Sequence, residues 1–198
     1  MDYDYILNIA KKMIPTNKVL PLFRVDPCDY EVGSDILPKG TYQEKMCEKQ
    51  LMIEESLSRT NPFADRFQRK DCVFLFDDIK NAILFWKKKN VNVNIYKVHI
   101  ELDNILHRGD MNYLDFLQEV VRNAKGDSTV LDSYSKRYWD TDFASASPCF
   151  EYLVGKASVE EIVVKRGSED AQNLIAEIKG FTHVQLTDKY KELVNRYY

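Results

Sequence analysis

The alternation of apolar and polar positions along the chain predicts several short strands. Residues 94–102 alternate at every second position, which is typical of a strand with one buried face and one polar face and places His99 on the polar face. Further apolar runs predict strands at 19–25, 72–76, 147–154 and 159–164. The strands are short and their connections differ in length and type, which favours the α+β class over a regular series of βαβ units.

Apolar residues at helical spacing predict helices between these strands. Thr41 is followed by Glu44 at the spacing of a capping box, so we expect a helix to start there. Asp77 can cap a helix whose apolar face lies within 79–86. Residues 134–139 stand out only as an aromatic and polar stretch. Other predicted helices cover 2–13, about 113–124, 171–178 and a terminal segment from Thr187.

Length, charge and cysteine content narrow the class of protein. A chain of 198 residues can bury a sizeable core, and we expect one domain over 1–198. With 28 Lys and Arg against 31 Asp and Glu, the net charge of −3 indicates no overall preference for nucleic acids or membranes, although a local basic groove stays open. The four cysteines form no cluster with metal-ligand spacing, so no metal site is expected.

The chain shows no pattern that would direct it to a membrane or out of the cell. No apolar run approaches the about 20 residues that cross a bilayer. The first residues are acidic and lack the charged-then-apolar pattern of a signal peptide. A cytoplasmic location with reduced thiols is therefore the expectation, with export by a specialised secretion system, which needs no cleavable signal, as the alternative.

Glu151 is the most unusual residue of the predicted strands. It lies within the apolar segment 147–154, where a carboxylate has no packing reason to be. Such a residue must either face water on an exposed strand face or meet groups that justify its burial. The sequence leaves both alternatives open. In the first Glu151 is an ordinary surface residue, and in the second it is a candidate functional residue.

Three separated segments carry a family resemblance. The first comprises 22–25 and the loop 33–38, the second runs from 73–77 into 82–86, and the third is 149–154. In this order they resemble the ADP-ribosyltransferase superfamily, whose members cleave NAD at the nicotinamide–ribose bond. The layout is comparable to the compact bacterial branch that includes rifamycin-modifying enzymes, and the third segment is similar to DarT-type toxins, which modify thymidine in DNA.

The resemblance implies a fold, a substrate and partners. The expected fold is an ADP-ribosyltransferase-like split mixed sheet with peripheral helices, its core at about 20–165 and helical extensions at both ends. NAD would be consumed as a substrate, without a metal, and ADP-ribose would pass to a macromolecular acceptor, protein or nucleic acid. A role as a toxin or phage–host conflict factor would bring an antitoxin or a host target as partner, and no membrane.

The resemblance assigns the central roles to Glu151 and Arg24. Glu151 would be the catalytic carboxylate that stabilises positive charge on the ribose, as in oxocarbenium-like glycoside chemistry. Arg24 would grip a phosphate or ribose oxygen through its planar donor fork. The alternative for Arg24 is an ion pair with Asp26 or Glu31.

Four further residues are candidates for binding NAD. Phe74 or Phe76 would stack on nicotinamide, although aromatic residues of a buried strand more often belong to the core. Arg66 would contact the phosphates, with a solvated loop arginine as the alternative. Tyr138, together with Trp139, would wall the pocket or the acceptor site, or else anchor a loop.

Two positions depart from the family pattern, and other functions compete. Cys149 stands where many members have Glu or Gln, which puts arginine-directed modification in doubt, and Phe74 stands where the DarT-like branch has Tyr. One alternative is a catalytically inactive ADP-ribosyltransferase-like binding module. Another is an unrelated α+β interaction protein in which Glu151 faces solvent.

Overall fold

The computed structural model describes residues 21–40, 42–88, 92–123, 127–140, 144 and 148–178. The helices predicted over 2–13 and from Thr187 lie outside these residues. The strands are β1 (Leu22–Asp26), β2 (Asp35–Ile36), β3 (Val73–Phe76), β4 (Asn94–His99), β5 (Ile105–Asp110), β6 (Phe150–Val154) and β7 (Ala157–Val164). The helices are α1 (Glu48–Thr60), α2 (Ile79–Lys88), α3 (Asn112–Asn123), α4 (Ser128–Trp139) and α5 (Glu169–Ile178).

Antiparallel strands and helices together confirm the predicted α+β class. β1 pairs with β4, β4 pairs with β7 and β5 pairs with β6, each in antiparallel register. The alternation predicted for β4 is present, since Val98 is buried and His99 is exposed. The strand ends at His99, earlier than predicted, because a 3₁₀ turn at Leu102–Asn104 follows.

Two of the longer elements, β5 and α4, were not recognised from the sequence, and the two-residue strand β2 lies in the predicted loop 33–38. β5 contains His107, Arg108 and Gly109, so no apolar alternation marks it as a strand although it is largely buried. α4 extends well before the aromatic stretch, and it begins where Asp127 accepts hydrogen bonds from two backbone N–H groups of the first turn. Both elements depend on polar residues whose burial cannot be read from local periodicity.

The predicted helix starts are displaced by a few residues. α1 begins at Glu48, where the backbone N–H of Cys47 donates to the Gln50 side chain at 3.0 Å, and a 3₁₀ turn at Tyr42–Lys45 precedes it. At the start of α2 the Asp78 carboxylate accepts from the backbone N–H of Lys80 at 2.7 Å, so Asp78 caps the helix. The apolar face predicted within 79–86 is confirmed, since Ile79, Ala82, Ile83 and Trp86 of α2 are buried.

The chain divides into two compact units. The first comprises the described parts of Leu37–Phe74 and Ile100–Ala157, with α1, α3, α4, β5 and β6. The second comprises the described parts of Leu20–Ile36, Leu75–His99 and Ser158–Tyr198, with β1, β2, β4, α2, α5 and nearly all of β7. β3 begins in the first unit and ends in the second.

The core of the first unit lies between its strands and its three helices. Leu57 of α1, Leu117 of α3 and Leu153 of β6 are fully buried in one apolar cluster. Trp139 of α4 joins them, and its indole N–H donates to the Leu57 carbonyl at 2.9 Å. This cluster holds one face of β5 and β6 against the helices, and that face carries Glu151.

The second unit is organised around β4. In the β1–β4 register Arg24 lies opposite Tyr96. The Tyr96 hydroxyl donates to the Cys28 carbonyl at 2.8 Å and accepts from the backbone N–H of Tyr30 at 3.0 Å, which fixes the loop after β1. Burial raises the pKa of Tyr96, so its hydroxyl keeps the proton that this geometry needs.

Candidate functional site

Glu151 is buried, so the alternative of an exposed strand face is wrong. All five residues of β6 are buried, and Glu151 keeps only 3% of its surface exposed. The antiparallel register places it directly opposite Gly109 of β5. A carboxylate in this environment requires hydrogen-bond donors, because burying an unpaired charge costs several kcal/mol.

Gly109 leaves room for the first of these donors. A Cβ atom built on Gly109 would lie 2.4 Å from Cε2 of Tyr138, so the tyrosine ring packs directly on the strand backbone. From there the Tyr138 hydroxyl donates to Oε1 of Glu151 at 2.7 Å. Burial raises the pKa of Tyr138 well above its usual value, and the neighbouring Glu151 carboxylate acts in the same direction. Tyr138 is therefore a neutral donor.

Arg69 is the second donor. It lies in the 3₁₀ turn Arg69–Asp71 before β3, is 7% exposed, and places Nη1 2.5 Å from Oε1 of Glu151. The same Nη1 donates to the Tyr138 hydroxyl. On its other side, Nε donates to Oε2 of Glu54 at 3.3 Å, so the guanidinium joins α1 to β6.

The rings beside Arg69 complete the cluster. Its guanidinium carbon lies 4.9 Å from the centre of the Phe74 ring and 5.1 Å from that of Tyr138. Guanidinium groups are attracted to aromatic faces at such distances. We call Glu54, Arg69, Phe74, Tyr138 and Glu151 the Glu151 cluster. All five residues lie in the first unit.

His107 lies on the same strand as Gly109 and is also buried. Its Nε2 is 3.2 Å from the Tyr138 carbonyl, and since a carbonyl only accepts, Nε2 carries the proton. Its Nδ1 is buried with no hydrogen-bond partner among the described residues. Burial lowers the pKa of His107 to about 3, and the positive charge of Arg69 acts in the same direction. The imidazole is therefore neutral at ordinary pH.

Asp110, at the end of β5, binds the backbone at the start of α3 and just before β6, the strand that carries Glu151. Its carboxylate is fully buried and accepts from three backbone N–H groups, those of Asn112, Ala144 and Cys149, at 3.0, 2.9 and 3.0 Å. The bond to Cys149 holds the entry to β6, one residue before its first position. Asp110 thus connects the end of β5, the start of α3 and the strand that carries Glu151.

The structure brings three of the six predicted site residues into the Glu151 cluster, namely Phe74, Tyr138 and Glu151. Arg24 lies in the second unit and donates to the Asp26 carboxylate from Nε at 3.0 Å and from Nη2 at 2.7 Å. This ion pair is one of the two alternatives that the sequence left open. Phe76, also in the second unit, packs against Phe85 with ring centres 5.3 Å apart.

Arg66, the sixth predicted site residue, lies on the surface of the first unit. Its side chain is exposed, and its backbone N–H donates to the Phe63 carbonyl at 2.8 Å in the turn after α1. The roles of Arg24, Phe76 and Arg66 toward NAD stay predictions.

Sequence reasoning missed the residues that make the cluster possible. Arg69 occurs among polar residues, and Glu54 lies in a segment that mixes polar and apolar residues, so nothing local distinguishes them from surface residues. Gly109 carried a usable signal, since a glycine inside a strand often marks a close approach of another group. That signal required β5 to be recognised as a strand first.

Other candidate sites in the described part of the chain are weaker. No group of three or more His, Cys, Asp or Glu residues in that part could hold a metal ion. Burial raises the pKa of Cys72 to about 12, so its thiol is not a nucleophile at neutral pH. Two surface hollows along α4 include Ser133 and Arg137, and neither includes Glu151. Among the described helices, none has the length and apolar character needed to cross a bilayer.

The sequence matches no protein-family model. A search of curated proteins also finds no match.

Proposed function

We propose that the protein is an NAD-dependent ADP-ribosyltransferase that uses Glu151 and transfers ADP-ribose to a macromolecular acceptor. One observation carries the proposal. Both donors to Glu151 bind the same oxygen, Oε1, and Oε2 accepts no hydrogen bond from the described residues. A carboxylate held by one oxygen presents the other in a fixed direction, where it can accept from a ribose hydroxyl.

The chemistry needs little more than such a carboxylate. The bond between the ribose carbon and the nicotinamide nitrogen breaks, and nicotinamide leaves with the electron pair. Positive charge then develops on the ribose, where a preorganised negative group lowers the barrier. An oxygen or nitrogen of the acceptor attacks the ribose carbon and loses its proton to solvent. Arg69 and Tyr138 hold the Glu151 side chain in place through their bonds to Oε1.

The finer fold and the remaining site residues belong to the same proposal. We place the strands in an ADP-ribosyltransferase-like split sheet, with Phe74 and Phe76 as candidates for stacking on nicotinamide. Tyr138 lines the site through its hydroxyl, and Arg66 is a candidate for contacting the phosphates. Arg24 would exchange its bond to Asp26 for one to NAD, which is favourable only if the phosphate offers two acceptor oxygens to its fork.

Glu151→Gln tests this function directly. The variant keeps the size of the side chain but removes its charge, so nicotinamide release from NAD should fall by about 100-fold or more, as for other removals of a charge-stabilising group. Glu160→Gln is the matched control, because Glu160 lies on a strand, is exposed and pairs with Lys97 on the surface. Circular dichroism of both variants checks the fold. Nicotinamide release by Glu151→Gln at the wild-type rate would refute the proposal.

The acceptor is found with NAD labelled in its ADP-ribose part. Incubation of the protein with this NAD and a cell extract, followed by separation of protein, DNA and RNA, shows where the label is transferred. Label on one macromolecule, lost in Glu151→Gln, identifies the acceptor class. Growth arrest on expression that depends on Glu151 supports the role of a toxin in a phage–host or similar conflict.

A second function is favoured by the depth of Glu151. With 3% of its surface exposed and Arg69 bound to it, the carboxylate also fits an ADP-ribosyltransferase-like module that binds ligands or partners without turnover. This function predicts binding of NAD or a partner with no release of nicotinamide. Calorimetric titration with NAD beside the nicotinamide assay separates the two functions.

A further inference from the structure

We propose that Arg69 is a positioning residue for Glu151, and that Glu54 holds Arg69 in the orientation this requires. The inference rests on the proposed function, because it concerns the carboxylate on which that function depends. Arg69 acts through Glu151 and need not touch NAD. The proposal rests on the contacts of the guanidinium with two aromatic rings, with Glu54 and with Glu151.

Two aromatic rings define the position of the guanidinium. Phe74 and Tyr138 lie 4.9 and 5.1 Å from its central carbon, and Tyr138 is fully buried. A planar group near two fixed rings cannot rotate without losing these contacts. The donor directions of Arg69 are therefore set by the packing of β3 and α4.

Glu54 and Glu151 engage different nitrogens of the same group. Nε donates to Glu54 of α1 and Nη1 donates to Glu151 of β6. An arginine can satisfy two carboxylates in this way because its donors are spread over a rigid fork, whereas a lysine offers one compact ammonium. The distance between α1 and β6 is thus spanned by a single side chain with fixed geometry.

Tyr138 adds a second fixed direction at the same oxygen. Its hydroxyl accepts from Arg69 and donates to Oε1 of Glu151, so Oε1 is held by two donors that are themselves linked. Rotation of the carboxylate would break both bonds at once. Glu151 consequently presents Oε2 in one direction as long as Arg69 is in place.

Arg69→Lys tests the inference because it keeps the positive charge and removes the fork. If the proposal is right, kcat for nicotinamide release falls by about tenfold or more while KM for NAD changes by less than about threefold, the pattern of a lost transition-state contact. Arg59→Lys is the matched control, since Arg59 also joins α1 to α4 through Asp132 but is half-exposed. We expect Arg59→Lys to keep wild-type kinetics.

Glu54→Gln provides a milder variant if Arg69→Lys does not fold. It keeps the shape and an acceptor oxygen but removes the charge that orients Nε, so kcat should fall by a smaller factor than in Arg69→Lys. Wild-type kcat in both variants, with Glu151→Gln inactive, would overturn the positioning role while leaving the proposed function intact. An increase in KM without loss of kcat would overturn it as well, since that is the result for a residue that binds NAD.

A crystal structure distinguishes failure of the positioning role of Arg69 from failure of the proposed function. A crystal structure of Arg69→Lys should show the Glu151 carboxylate turned away from Tyr138. If the wild-type protein releases no nicotinamide, the proposed function fails, and the orientation of Glu151 in this variant still decides the positioning role. An unchanged Glu151 side chain would then overturn the inference.

Discussion

Tyr138 reaches Glu151 because the residue beneath its ring has no side chain. The ring occupies the position that a Cβ of Gly109 would take, at 2.4 Å from Cε2. The ring is fully buried and cannot move aside without displacing Trp139 and His107, whose rings lie 5.0 and 5.3 Å away. The constraint on Gly109 is therefore steric.

Gly109→Ala should destabilise the protein by about 1–3 kcal/mol, the usual cost of overpacking a buried position. The clash pushes the Tyr138 ring outward and breaks its bond to Glu151. Urea denaturation measures the change in the free energy of unfolding. Gly155→Ala serves as the control, since a Cβ there meets nothing within 4 Å. Equal stability of the two variants would show that the ring adapts.

At the scale of elements, Asp110 holds three segments by one carboxylate. Two of its three bonds satisfy backbone N–H groups at the first residue of α3 and just before β6, and the third satisfies that of Ala144, between α4 and β6. Backbone groups buried without partners are costly, so the junction depends on this side chain. The position of β6, and with it of Glu151, follows from the bond to Cys149.

Asp110→Asn should lower stability by roughly 1–3 kcal/mol, because the amide NH₂ faces backbone donors and leaves at least one of them unsatisfied. Thermal unfolding followed by circular dichroism gives the shift of the melting temperature. Asp115→Asn, an exposed change in the first turn of α3, is expected to stay within about 0.5 kcal/mol of wild type. Equal melting temperatures for the two variants would show that Asp110 does not stabilise the junction.

At the scale of the whole molecule, buried ionisable groups make folding depend on pH. The folded pKa of His107 is about 3 because of burial, against an ordinary value of 6.5. Above pH 6.5 His107 is neutral in both states. As the pH falls below 6.5, the unfolded chain binds a proton that the folded chain excludes, so stability declines.

The free energy of unfolding should therefore fall by up to about 1.4 kcal/mol per pH unit between pH 6 and 5, above the range where most carboxylates titrate. His107→Phe removes the titrating ring and should flatten this slope. His99→Phe, at an exposed position of β4, should not. Denaturant titrations at several pH values give the slopes. A slope in His107→Phe equal to that of wild type would contradict the assignment.

The strands and helices show which features local patterns predict. β4, β6, α3 and the core position of Trp86 follow from apolar periodicity, because burial of one face repeats at the period of each element. β5 and α4 were missed because their buried positions include polar residues such as His107 and Ser135. Periodicity reports burial only where the buried side chains are apolar.

Glu151 shows where local reasoning ends. The sequence marks it as a carboxylate in an apolar strand, and this was enough to single out the residue and to require a partner if it is buried. The partner was not predictable, since Arg69 lies 82 positions away and Glu54 a further 15 before that. Their meeting depends on the register of β5 with β6, on the space above Gly109 and on the packing of Phe74 and Tyr138. These conditions are steric and involve residues far apart in the chain. The sequence by itself therefore singled out Glu151, and only the tertiary structure decided which residues bind it.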